Sequence, residues 1–132
     1  CETTIFGRTS MQENVEKGYF SDLWQINLNE KIIHAEAINF SGDIKHLITN
    51  KTNLNDNYAV NTILIIGRDY LKKAELLDIN KYENKNVKIA ISQWDNKILI
   101  RSVGKNSYYL KFAIIKTLTY FLGDNLPNVW NS

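Results

Sequence analysis

Apolar and polar positions alternate with period two through the first forty residues, the signature of strands that bury one face. Thr3 and Ile5 mark a first strand. Phe20, Trp24, Ile26 and Leu28 mark a second, and Ile32, Ile38 and Phe40 a third, with only the polar break Asn29-Glu30-Lys31 between them. The spacing predicts a hairpin in which Gly18 to Leu28 pairs with Ile32 to Phe40. Gly7-Arg8 opens a polar stretch to Lys17 that has no sustained period and reads as a loop. Ser41 to Asn57 is rich in Asn, Asp, Ser and Gly, interrupted by Leu47-Ile48, and predicts an irregular connection or a short strand.

Further along, Val60, Ile63, Ile65 and Ile66 give Tyr58 to Arg68 the character of a buried strand. Asp69 then offers an N-cap to a short helix near 69–79 carrying Tyr70, Ala74 and Leu77. Val87 to Gln93 and Lys97 to Val103 read as a second hairpin turned at Trp94-Asp95-Asn96. The clearest helix lies near 106–122. Asn106 or Ser107 can cap it, Leu110, Ala113, Ile114, Leu118 and Phe121 form one stripe, and Gly123 suits its C-terminal end. Its four large apolar residues contribute roughly 6–12 kcal/mol gross when buried, so the helix is a packing element, with Lys111 and Lys116 on a solvated face. The fold class is mainly β with helices, an α+β chain of antiparallel sheets.

Composition narrows the functional classes. The 132 residues, 44% apolar and 23% charged, fit one globular domain. The chain starts at Cys1 with strand-like sequence already under way to Phe6, which predicts a piece cut from a longer protein. A net charge of +2 with scattered basic residues argues against nucleic acid. The apolar runs Ile63 to Gly67 and Phe112 to Ile115 are far shorter than a membrane span. One cysteine excludes a disulfide framework or a cysteine-rich zinc site and fits a reducing, cytoplasmic setting. Phosphate-loop, dinucleotide, zinc-protease and serine-hydrolase signatures are missing from the sequence.

The informative segment is Ile32 to Phe40, where His34 and Glu36 share parity with Ile32, Ile38 and Phe40. Next-but-one residues stand about 6.6–7 Å apart on one face of a strand, so both could line one channel or act on one ion. A desolvated carboxylate requires a partner, for which Arg8, Arg101 and His34 are available. The opposite parity, Ile33, Ala35 and Ala37, could equally form the core face and leave His34 and Glu36 in water. Glu2 poses the same question, with a solvated edge position as the simpler answer. Arg101 interrupts an apolar run, either as a carboxylate's bidentate partner or as a surface residue. Trp24, Trp94 and Trp130 read as core or interface anchors.

The ordered string Cys1-Glu2-Thr3-Thr4-Ile5-Phe6-Gly7-Arg8, Gly18-Tyr19-Phe20, Trp24-Gln25-Ile26, the Glu36 segment, Ile89-Ala90-Ile91-Ser92-Gln93, Arg101-Ser102-Val103-Gly104 and Pro127-Asn128-Val129-Trp130 resembles the C-terminal half of the urease accessory family called UreD or UreH. The resemblance implies stacked, β-helix-like sheets with helices on the C-terminal side. It implies a non-enzymatic scaffold with no tightly bound cofactor, one that binds UreF, through it the GTPase UreG, and urease apoprotein, with nickel passing through a polar internal channel. Carried over by position, Glu2 and Glu36, with His34 beside the latter, become the candidate channel lining. Gly7, Arg8, Arg101, Gly104 and Trp130 become structural motif positions. Thr9 departs from the Pro that many members carry after Gly-Arg. Two competing readings follow from the residues alone: a small β-rich enzyme using His34 and Glu36 as an acid–base pair, or a generic protein-binding domain.

Overall fold

A computed structural model describes residues 1–7, 11, 13–123 and 126. Within them run β1 (Glu2–Ile5), β2 (Lys17–Leu28), β3 (Lys31–Asp43), α1 (Ile44–Thr49), β4 (Ala59–Ile66), α2 (Leu71–Glu75), β5 (Val87–Trp94), β6 (Lys97–Gly104) and α3 (Ser107–Leu122). Strands β1, β4, β6 and β5 form a four-stranded sheet in that order, and β2 pairs with β3 alone. Every pairing is antiparallel. The chain is mainly β with a long C-terminal helix.

Both hairpins turn where two consecutive residues take positive φ, Asn29 and Glu30 at 48° and 62°, and Asp95 and Asn96 at 44° and 61°. That geometry matches the right-handed twist of the paired strands. Three layers result. Alternate residues of the four-stranded sheet, among them Ala59, Ile63, Val87, Ile98 and Ile100, pack against Leu110, Ala113, Ile114, Leu118 and Phe121 of α3. On β1, β4 and β6 the residues between them face the β2–β3 hairpin. Here Phe6, Phe20 and Phe40 meet with ring centroids 5.9–6.3 Å apart, next to Val60, Ile44 and Ile48. Because β6 is an inner strand, it is buried along most of its length, with Ile98, Leu99 and Ile100 consecutive in it.

Local chemistry fixes the ends. Asn106 Oδ1 accepts from the Tyr109 amide at 3.1 Å and starts α3, and Gly123 at φ 63° ends it. A Cβ on Gly104 would stand 3.0 Å from Leu110 Cβ, so the strand can approach the helix this closely only with glycine there. Gly7 turns the chain after β1 at φ 77°, with Glu13 O 2.9 Å from where a Cβ would be. Buried Asn61 donates to Glu2 O at 2.7 Å and Thr3 Oγ1 at 3.1 Å, tying β1 to β4.

Three expectations change. The segment from Ser41 to Asn57 is an irregular connection only from residue 50 on: before that, β3 runs on to Asp43, whose carboxylate accepts from His46 N at 2.7 Å and starts α1, burying Ile44 and Ile48 one turn apart. The helix expected near 69–79 is broken into a 3₁₀ turn (Arg68–Tyr70), the short α2 and a second 3₁₀ turn (Ile79–Lys81), and Asp69 caps nothing. It is held instead by the end of α3, through Lys73 Nζ to Phe121 O at 3.1 Å and Tyr120 Oη to Lys73 O at 2.8 Å. Lys116 is not simply solvated, since it donates to Lys81 O at 2.9 Å and lies over the Tyr82 ring. Among the described residues no helix is long and apolar enough to cross a membrane.

Leu110 is fully buried between β6 and α3, whereas Phe112 on the same helix is 57% exposed. Leu110→Ala therefore lowers unfolding stability by about 2–5 kcal/mol, read from the urea midpoint at unchanged slope. Phe112→Ala shifts it by about 0.5 kcal/mol or less.

Candidate functional site

The face of β3 that looks inward is the one carrying His34, Glu36, Ile38 and Phe40, while Ala35 and Ala37 point to solvent. The alternative parity is thereby overturned along most of the strand. A bulge explains the exception at its start. Ile26 pairs with His34 but Asn27 pairs with Ile32, so one extra residue on β3 reverses the parity, leaving Ile33 half-buried and Ile32 exposed.

Across the seam, Glu2, Thr62 and Arg101 occupy one row of the four-stranded sheet, since Glu2 pairs with Thr62 and Thr62 with Arg101. Trp24 and Glu36 form the facing row of the hairpin. Two bridges join the rows. Trp24 Nε1 donates to Glu2 Oε2 at 2.5 Å, and Arg101 donates to Glu36 Oε1 in a charge-assisted hydrogen bond. The Glu36 side chain is only 18% exposed, and so the guanidinium supplies the partner that its charge requires between two sheets. Arg101 itself is 52% exposed and reaches the carboxylate from the rim.

One row further along the hairpin lies His34, 7% exposed, with Nε2 3.7 Å from Glu36 Oε2. That separation exceeds hydrogen-bond distance, and Nε2 has no hydrogen-bond partner among the described residues. The two groups do not form the directly bonded acid–base pair that an enzyme reading needs. The Trp94 ring stands 6.1 Å from the imidazole and is 39% exposed, so it partly covers His34 without being a core residue. Lys97, buried beside it, donates to Ile33 O at 2.6 Å and lies over Trp94, a third tie between the layers.

In the other direction the seam opens into a cavity of about 80 Å³ lined by Glu2, Thr4, Phe20, Asp22, Trp24 and Thr62 among others. Asp22 was missed in the sequence reading. Its parity with Phe20 and Trp24 is the signal that places it inward. Asp22, Glu36 and His34 thus follow one another along the hairpin's inner face, with Glu2 opposite. Among the described residues no three His, Cys, Asp or Glu converge on one point. Gly7 and Gly104 lie away from the seam, at the turn and the close approach described above. Arg8 and Trp130 lie outside the described residues.

If the Arg101–Glu36 pair joins the layers, Arg101→Ala, Glu36→Ala and the double variant give a coupling energy of about 1 kcal/mol in a double-mutant cycle of unfolding stability. Additive single effects contradict the bridge.

Comparison with known proteins gives this geometry a family. Residues 1–131 match the UreD urease accessory protein family. The chain is 30% identical over 98% of its length to the urease accessory protein UreD of Rhizobium leguminosarum bv. viciae and 27% identical over 98% to that of Rhodopseudomonas palustris strain HaA2. A match of 28% over 98% links it to the UreD of Rhizobium rhizogenes. It covers 46–47% of these proteins, so the chain spans about half the length of the curated relatives it matches. On the match of nearly every residue, the chain belongs to the UreD urease accessory protein family.

Proposed function

We propose that this segment is the C-terminal half of a cytoplasmic UreD protein, a non-catalytic scaffold that takes part in building the nickel centre of urease. In this reading it assembles with UreF, with the GTPase UreG through UreF, and with urease apoprotein, and lets nickel pass along its inter-sheet seam. The observation that carries the reading is the line of acidic side chains, Asp22, Glu2 and Glu36, turned into the seam between two sheets. Strand faces present such groups at intervals of about 6.6–7 Å.

Nickel is the cargo here, and passage sets a chemical requirement opposite to storage. Imidazole and carboxylate suit a borderline divalent ion, but a closed set of four or more ligands would retain it. Single carboxylates, two of them (Glu2 and Glu36) engaged by Trp24 and Arg101 as well, give sites that a cation can enter and leave. The apolar walls formed by Phe6, Phe20 and Phe40 keep other ligands away from the path.

The test is co-expression of full-length UreD with UreF, UreG and urease apoprotein at limiting nickel. Glu36→Ala lowers nickel-dependent urease activity several-fold while the tagged complex is recovered intact, and adding Asp22→Ala lowers it further. Full activation in the double variant, or failure of a folded full-length protein to recover any partner, overturns the reading.

A further inference from the structure

The buried imidazole of His34 is not explained by packing alone. Its Nε2 is desolvated and without a hydrogen-bond partner among the described residues, an arrangement that costs stability as it stands and that a ligand on this atom would offset. It looks toward Glu36 Oε2 at 3.7 Å, the oxygen that Arg101 does not hold. A first-row divalent ion bonds imidazole nitrogen and carboxylate oxygen at about 2.0–2.2 Å, so one ion could reach both atoms at an angle of about 120° with little movement of either strand.

We propose that His34 Nε2 and Glu36 form a cation station whose occupancy is controlled by Arg101, a movable counter-cation that holds the carboxylate until a divalent ion replaces it. This rests on the seam being a cation path. The asymmetry of exposure gives the direction of movement. Arg101 is half in water and loses little on swinging outward, whereas Glu36 sits between the layers and has to exchange one positive partner for another. Two cations on one carboxylate repel, so arrival of the ion and departure of the guanidinium are linked. Lys97 cannot play this part, because its ammonium is hydrogen-bonded to the Ile33 carbonyl and lies against Trp94. Water completes the ion's shell, and the imidazole donates through Nε2 with its proton on Nδ1.

The experiment is Ni²⁺ titration of full-length UreD by calorimetry, with histidine-labelled protein followed by nitrogen NMR. Arg101→Gln removes the competing charge and keeps both ligands, so it tightens one Ni²⁺ site by about tenfold, within the usual range of coupling between two linked equilibria. Adding His34→Ala or Glu36→Gln abolishes that gain. Sub-stoichiometric Ni²⁺ broadens the His34 ring signals of Arg101→Gln before those of His46, which lies in α1. Should Arg101→Gln fail to fold, Arg101→Lys, which keeps the charge but loses the planar fork, shifts affinity in the same direction by less. Unchanged or weaker Ni²⁺ binding in a folded Arg101 variant, or a gain that survives His34→Ala, overturns the gate. The path is judged separately: reduced urease activation in Glu36→Ala with unchanged affinity in Arg101→Gln removes only the gate, and normal activation in Glu36→Ala removes the path itself.

Discussion

Glu36 is a carboxylate placed between two β-sheets, and the surrounding layers are organised so that its charge is met. Arg101 can do so because β6 is an inner strand, covered by α3 on one face and by the hairpin on the other. Residues of β6 on the helix side, Ile98 and Ile100, are aliphatic and nearly inaccessible, while the residues between them reach into the seam. A single strand therefore anchors the apolar core and supplies the polar partner. The same division holds for β4, where Ile63 faces the helix and Thr62 faces the seam. The helix side provides most of the apolar burial, which leaves the other side free to carry groups that a minimal core would not contain.

The hairpin is attached to the sheet by side chains from three places along its length. Ring contacts of Phe6 with Phe20 and Phe40 hold one end, Trp24–Glu2 and Arg101–Glu36 the middle, and Lys97 to the Ile33 carbonyl the other end. Among the described residues no strand hydrogen bonds join the two sheets. Side-chain attachment allows polar groups and a cavity between the layers that a continuous sheet would close. It also makes the seam the part of the fold where individual side chains can exchange partners without unfolding a strand.

Much of this was legible in the sequence, for definable reasons. Period-two alternation identified β2 and β3 because each has one solvated face, and Asn106 with Gly123 delimited α3 because their capping chemistry is local. Glu36 stood out because its parity set a charge among Ile38 and Phe40. What stayed hidden depends on space. Whether His34 and Glu36 faced inward was settled by the hairpin's packing, and the bulge at Ile33 by pairing register, neither of which a single strand's sequence contains. The partnerships of Trp24 with Glu2 and Arg101 with Glu36 join residues 22 and 65 positions apart. By contrast α1 was readable and overlooked: Asp43 followed by Ile44 and Ile48 is a cap and a helical stripe, masked by the polar composition around it. Asp22 was likewise readable from the parity of Phe20 and Trp24.

A scaffold for metal delivery and a metal enzyme differ in how completely they satisfy an ion. In the seam Glu2 and Glu36 each already have a protein donor, and His34 Nε2 is buried with no partner among the described residues. Such partial satisfaction suits a cation that must move on. Anomalous diffraction at the nickel edge, on crystals of full-length UreD bound to its partners and soaked at low nickel, tests this most directly. The account predicts a nickel peak of partial occupancy in the seam between Glu36 and His34, with Arg101 turned outward in the occupied fraction. Nickel ordered only at the outer surface, with the seam and the Arg101–Glu36 pair unchanged, would contradict it.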